Sequence, residues 1–308
     1  MRWFLPLLIT GCGTTELTQS WQLDRHRLLG ARGEVAGTPD PVLGTRAEPR
    51  PGETLLFSSL RYTPEDEPSA GALWIGCLTD GDTQTGCDFD ESAFEDLDEL
   101  DENASQEELF EALDRLKEAG FLGIEPDLPP SWLVPEDALD GVEDPLEGVS
   151  AFVNITMLPE DESSSEMPEA GFKRVAVSEA TTPNHNPDIT DLIVAGESIG
   201  DARGFTARRG YTYILKPVLS EGHIETYSYL NTQGDEEWRV EKPYFTWYTE
   251  LGASDAKKQA RFNVDYSLHP YTSVEWTAPK KAGLVEIDVV VRDRRGGVGW
   301  RTLLVNVL

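Results

Sequence analysis

The run from 284 to 292 constrains this chain most. Val285, Ile287, Val289 and Val291 alternate with Leu284, Glu286, Asp288 and Val290. A repeat of two puts one apolar face on a strand and does not fit the 3.6-residue repeat of a helix. Comparable short runs recur along the chain. Strands are expected at 28–36, 54–62, 72–78, 151–158 and 172–178 in the first half. In the second half they are expected at 191–195, 211–219, 224–230, 244–250, 260–265 and 302–307. Turn signals such as Arg50-Pro51-Gly52-Glu53 separate them, and the 20 Pro and 27 Gly of the 308 residues suit many short strands better than a helical bundle. Residues 105–119 are the exception. Leu109, Ala112, Leu113 and Leu116 form a stripe at helical spacing, Ser105 and Glu108 form a capping box, and Gly120 is placed to end the helix.

Charge divides the chain further. The formal net charge is −30, which repels nucleic acid and anionic headgroups alike. Residues 80–149 hold 24 acidic side chains against Arg115 and Lys117, whereas 181–308 hold 17 acidic and 15 basic ones. The acidic stretch reads as a partly helical insertion between two strands of a first domain. Residues 181–187 (TTPNHNP) read by composition as a linker.

No apolar run approaches the ~20 residues that a spanning helix needs. The N-terminus nevertheless opens with Arg2, an apolar stretch from Trp3 to Ile9, and then Thr10-Gly11-Cys12. This resembles the lipobox of bacterial lipoproteins, although Ile9 stands where Leu is commonest and the signal is short. The resemblance implies a signal peptide at 1–11, a lipid on Cys12, a polar tether over 12–27 and attachment to a membrane through acyl chains. Gly13, where an Asp would retain a lipoprotein in the inner membrane, favours the outer membrane or cell surface. Of the three cysteines, lipidation of Cys12 leaves Cys77 and Cys87. Export would allow these to close a disulfide, the other reading being two free thiols.

Trp276-Thr277-Ala278-Pro279, Gly283 and the run 285–297 (VEIDVVVRDRRGG) resemble the last strands of bacterial Ig-like, PKD-like or cadherin-like modules. Residues 186–189 (NPDI) resemble the opening of such a module, and 47–60 resemble the first strands of another. The fold implied is mainly β: two Ig-like β-sandwich domains at 28–180 and 181–308, the first with the acidic insertion at 80–149. Modules of this kind imply stalks, adhesion or assembly.

Four chemical constellations remain. Gly196-Glu197-Ser198-Ile199-Gly200 fits G-x-S-x-G, but the following residues do not form an amphipathic helix, so a serine hydrolase at Ser198 is the lesser alternative. Asp80, Asp82, Asp88 and Glu91 take positions one, three, nine and twelve of an EF-hand spacing that Gln84 and Thr85 break; no metal is assigned, and calcium is an alternative. His26, His185, His223 and His269 have no metal-ligand spacing and read as isolated. Tyr211, Tyr213, Tyr227, Tyr229, Trp238, Tyr244, Trp247 and Tyr248 form either cross-strand packing pairs or a glycan-binding patch. The function expected is a lipid-anchored envelope protein, a structural or binding module without catalysis and without a cofactor. Its partners are expected to be an envelope protein or a glycan, with a calcium- or glycan-binding adhesin as the alternative.

Overall fold

The structure is a computed structural model, and it describes residues 20–40, 42–64, 71–78, 106–146, 148–158, 169–230, 233–250, 261–262 and 273–308. Among these the chain is mainly β. Its first half holds β1 (Arg27–Val35), β2 (Thr54–Tyr62), β3 (Gly71–Leu78), α1 (Gln106–Glu118), β4 (Phe121–Glu125), β5 (Ser131–Leu133), β6 (Val149–Leu158) and β7 (Ala170–Val177). These pair as a three-stranded sheet β1-β2-β5 and a four-stranded sheet β7-β6-β3-β4. Both sheets feed one apolar cluster, in which Leu55 and Phe57 meet Trp74, Val153, Ile155 and Val175. Phe57 stacks on Trp74 with ring centroids 5.4 Å apart.

The second half holds β8 (Ile189–Val194), β9 (Thr212–Leu219), β10 (Thr226–Leu230), β11 (Glu236–Val240), β12 (Tyr244–Glu250), β13 (Val274–Thr277), β14 (Gly283–Arg292) and β15 (Val298–Val307). The run that alternates in the sequence is β14, the centre of the sheet β12-β14-β15, which Gln22–Leu23 and Thr206–Ala207 extend at its two ends. Facing it is β8-β9-β13 with short additions at both edges, while β10 and β11 form a separate hairpin. The apolar side of β14, Val285, Ile287, Val289 and Val291, is fully buried with Leu192, Leu215 and Trp276.

Most strands fall where the periodicity predicts them. Four of the strands named above do not. Phe121–Glu125 pairs with β3 and Ser131–Leu133 with β2, so the stretch expected as an insertion at 80–149 contributes a strand to each of the first two sheets. Val274–Thr277, absent from the expected strands, is a strand paired with β9. Glu236–Val240, where no strand is expected, pairs with β10. All four are short, and their hydrogen-bonding neighbours make them strands. Helix α1 buries Ala112 and Leu116, and Gly120 follows it at φ +98°. A Cβ on Gly120 would lie 2.6 Å from the Gly76 carbonyl oxygen, so glycine is required there for two reasons.

A third apolar cluster joins the two halves. Leu29 of β1 and Tyr62 of β2 meet Tyr248, Val290 and Val298 of the second half. Val290 is on the face of β14 opposite the core, and its contact with β1 explains why that strand is buried and apolar on both sides at this place. No helix among the described residues is long and apolar enough to cross a membrane.

Candidate functional site

The residues expected to be a linker build the centre of the molecule. Asn184 and Asn186 are almost wholly buried, and all of their side-chain polar atoms except Asn184 Oδ1 are paired. The Asn186 side-chain amide donates to the Gly33 carbonyl at 2.8 Å, and its oxygen accepts from the Val298 amide at 2.9 Å, tying β1 to β15. The Asn184 side chain donates to Asp293 Oδ2 at 2.9 Å, while its backbone amide donates to Glu48 Oε2 at 2.8 Å. Asp293 organises the turn after β14: its Oδ1 accepts from the amides of Arg295, Gly296 and Gly297 at 2.6 to 3.0 Å. Burial raises the Asp293 carboxyl pKa, and these donors act against that rise.

Arg295 is the cation of this junction. It donates to Glu225 Oε2 at 2.9 Å, to Glu241 Oε1 at 3.0 Å and to Glu48 Oε2 at 3.4 Å, and its guanidinium lies 4.3 Å from the centroid of the Tyr227 ring. Burial pushes Glu241 up to about 7, with the nearby Asp293 charge adding to the rise. Two histidines expected to be isolated belong to the same region. His185 Nδ1 is 2.5 Å from Glu225 Oε1. His223 Nδ1 accepts from the Asp188 amide at 2.6 Å, which makes that ring nitrogen the unprotonated one. Their spacing in sequence gave no signal, because their partners come from distant turns.

Beside this network lies a cleft of about 850 Å³ between the two halves, within the range of ligand sites. One wall is the exposed edge of β7 with Leu28 to Ala31 of β1. The other is the β10–β11 hairpin, through Tyr227 and Tyr229, with Tyr244. Lys173, Arg174, Arg292, Arg294 and Arg295 line it, against Glu48, Asp144 and Glu236. The cleft is thus cationic in a chain with 56 acidic and 26 basic residues. Lys173 is buried and its ammonium donates to the Gly296 carbonyl at 2.6 Å; burial lowers its pKa to about 8.

The expected site residues fare differently. Cys12, Cys87, Asp80, Asp82, Asp88, Glu91 and His269 lie outside the described residues. Cys77 occupies a β3 position opposite Phe152, and its expected pairing with Cys87 lies outside them as well. Ser198 is described, and the nucleophile-elbow reading does not hold for it. It sits on Glu197–Ser198, hydrogen-bonded to β8 in a tight antiparallel hairpin whose turn residues, Ala195 and Gly196, both have positive φ. Its hydroxyl donates to Asp191 Oδ2 at 2.6 Å, and no helix follows. Ser198 and Asp191 close the turn, and the strand-turn-helix corner that would lift a nucleophile is not there. Among the described residues no three His, Cys, Asp or Glu side chains are grouped so as to hold a metal ion.

The aromatic set also divides. Trp247 and Tyr248 are buried, and Tyr213 packs on Trp276 with ring centroids 6.2 Å apart. Tyr227, Tyr229 and Tyr244 face the cleft, whereas Tyr211 and Trp238 are exposed elsewhere. There is no single aromatic patch.

No family model matches the sequence, and no curated protein matches it. Among solved structures, domains 4 and 5 of the S-layer protein SbsC align over 92% of this chain and 99% of that one, at 9% identity and a TM-score of 0.21. Fibronectin(III)-like modules of Clostridium thermocellum CbhA align over 89% and 93%, at 9% identity and a TM-score of 0.24.

Proposed function

We propose that this chain is an exported envelope protein, anchored through a lipid on Cys12, whose two Ig-like β-sandwich modules act together as a rigid structural and binding unit without catalytic chemistry. The observation that carries the reading is the junction. An apolar cluster and a polar network centred on Arg295 hold the two halves against each other, so the cleft between them has fixed walls. A flexible tether between modules would be solvated and polar, whereas residues 181–187 here are packed through Asn184 and Asn186. The first cysteine supports the location: acyl chains supply membrane attachment at roughly 0.8 kcal/mol per buried CH₂ without a spanning helix.

Labelled palmitate tests the anchor. The full chain expressed in a Gram-negative host is expected to incorporate label and to fractionate with membranes, while Cys12→Ser loses both. Label retained by Cys12→Ser would reject the anchor. Small-angle scattering of the Cys12→Ser chain tests the rigid unit: a single particle length, independent of salt, is expected, and a broad distribution of module separations would reject it.

A further inference from the structure

Strand β7 ends its sheet, and among the described residues no strand pairs with its outer side. Its register with β6 sets Gly171 opposite Ile155, Lys173 opposite Val153 and Val175 opposite Ala151. The Met157 amide donates to the Glu169 carbonyl at 2.9 Å, which fixes the phase of the ladder. Residues 171, 173 and 175 therefore exchange bonds with β6, and the N–H and C=O groups of Phe172, Arg174 and Ala176 point the other way. That way is into the cleft, whose lining includes all three residues. A row of strand donors and acceptors aimed into a groove is what an added strand needs.

The charge of the groove selects the kind of strand. Arg174 donates to Ser150 Oγ at 2.8 Å, and Arg292 donates to Thr246 Oγ1 and to the Leu29 carbonyl. Arg294 lies 5.5 Å from the centroid of the Tyr244 ring. Among the described residues none of these three guanidinium groups forms an ion pair with a carboxylate, although the chain has more than twice as many acidic as basic residues. Arg294 is held at φ +77°, a conformation costly for a side chain other than glycine, in the tight turn that Asp293 organises. Lys173 does not block the edge, since its side chain is buried and bound to Gly296. Edge-to-edge pairing of two copies would bring together two chains of charge −30, which repel each other.

We propose that the outer edge of β7 is a docking site for an extended, acidic polypeptide segment of a partner protein, which adds to residues 172–176 as a further strand with its carboxylates on Arg174, Arg292 and Arg294. The inference rests on reading the chain as a binding unit; it is independent of lipidation and is tested separately.

The probe is a fluorescent eight-residue peptide of alternating Glu and Val, titrated by anisotropy against the full chain in detergent. Two further versions carry backbone N-methyl groups on one or the other alternate set of residues, which removes strand donors without changing charge. Binding is expected for the parent peptide and for one methylated version, and the other is expected to lose at least about tenfold in affinity. Arg294→Glu and Arg174→Glu are each expected to weaken the parent peptide by about tenfold, with circular dichroism confirming an unchanged fold. Equal binding of both methylated versions would overturn the proposal, because charge alone would then explain the affinity. So would failure of the parent peptide to bind, or tighter binding of a polyuronate oligosaccharide that displaces it. Sedimentation showing a dimer that the peptide dissociates would overturn it too, since the edge would then belong to a second copy.

Discussion

Asp293 shows how much one side chain can organise. It accepts from three successive backbone amides of its own turn and from Asn184 of the segment joining the halves. Asp293→Ala leaves those donors buried without a partner. A loss of about 2–4 kcal/mol in denaturant unfolding is expected, while Asp293→Asn, which keeps an acceptor for the turn, is expected to lose less. Gly299 is the steric counterpart. A Cβ there would fall 1.8 Å from the Pro187 carbonyl oxygen, a backbone atom held in place by the neighbouring buried Asn186. Gly299→Ala is expected to cost about 3 kcal/mol or more, read from the urea midpoint, and a neutral result would mean that the linker backbone can move.

At the scale of elements, β14 carries the second core and an unusual outer face. Trp276 of β13 packs against its apolar side, fully buried, and its indole N–H donates to Thr249 Oγ1 at 3.2 Å. Trp276→Ala is expected to destabilise by about 3–5 kcal/mol, since the cavity would lie between two sheets that cannot collapse onto it. On the other face Glu286 and Asp288 lie two residues apart. Burial raises both carboxyls, and each feels a neighbouring charge, Asp288 for Glu286 and Glu250 for Asp288. Glu241 at the junction is raised from 4.5 to about 7 for the same first reason. The folded chain holds these protons more tightly than the unfolded chain does. Stability from this source is therefore full below about pH 4 and is lost as pH rises through about 6 to 8. Lys173 acts in the opposite sense at higher pH: with its value lowered from 10.5 to about 8, stability recovers as pH rises across that interval. Melting temperatures are expected to decline between about pH 5 and pH 7.5, and Glu286→Gln is expected to flatten the decline; an unchanged slope in that variant would remove Glu286 from the account.

For the whole molecule, the contact between halves decides what the cleft is. Leu29, Val290 and Val298 are buried only because β1 lies on the outer face of β14 and β15. Val290→Arg puts a charge into that contact. The two halves are expected to separate while each keeps its own sheets, which scattering would show as a longer, variable particle with an unchanged far-UV spectrum. A shorter linker is no remedy, because the linker is itself part of the packed centre through Asn184 and Asn186.

What the sequence by itself determined is the local order. Alternation placed β2 and β12 to the residue and most other strands within two or three, because a half-buried strand writes its two faces into every second side chain. The helical stripe placed α1, and the turn residues placed the breaks. The tertiary structure alone decided the rest. Phe121–Glu125, Ser131–Leu133, Glu236–Val240 and Val274–Thr277 are short strands, and partners bond them. Asn184, Asn186, His185 and Arg295 look like loop residues in sequence, yet they converge from segments up to 247 positions apart. Convergence over such distances has no local signature, since hydrogen bonds and ion pairs depend on where folded strands bring their ends and not on the residues next in the chain. The cleft and its cationic lining belong to that second class, which is why a chain so acidic in composition gave no hint of them.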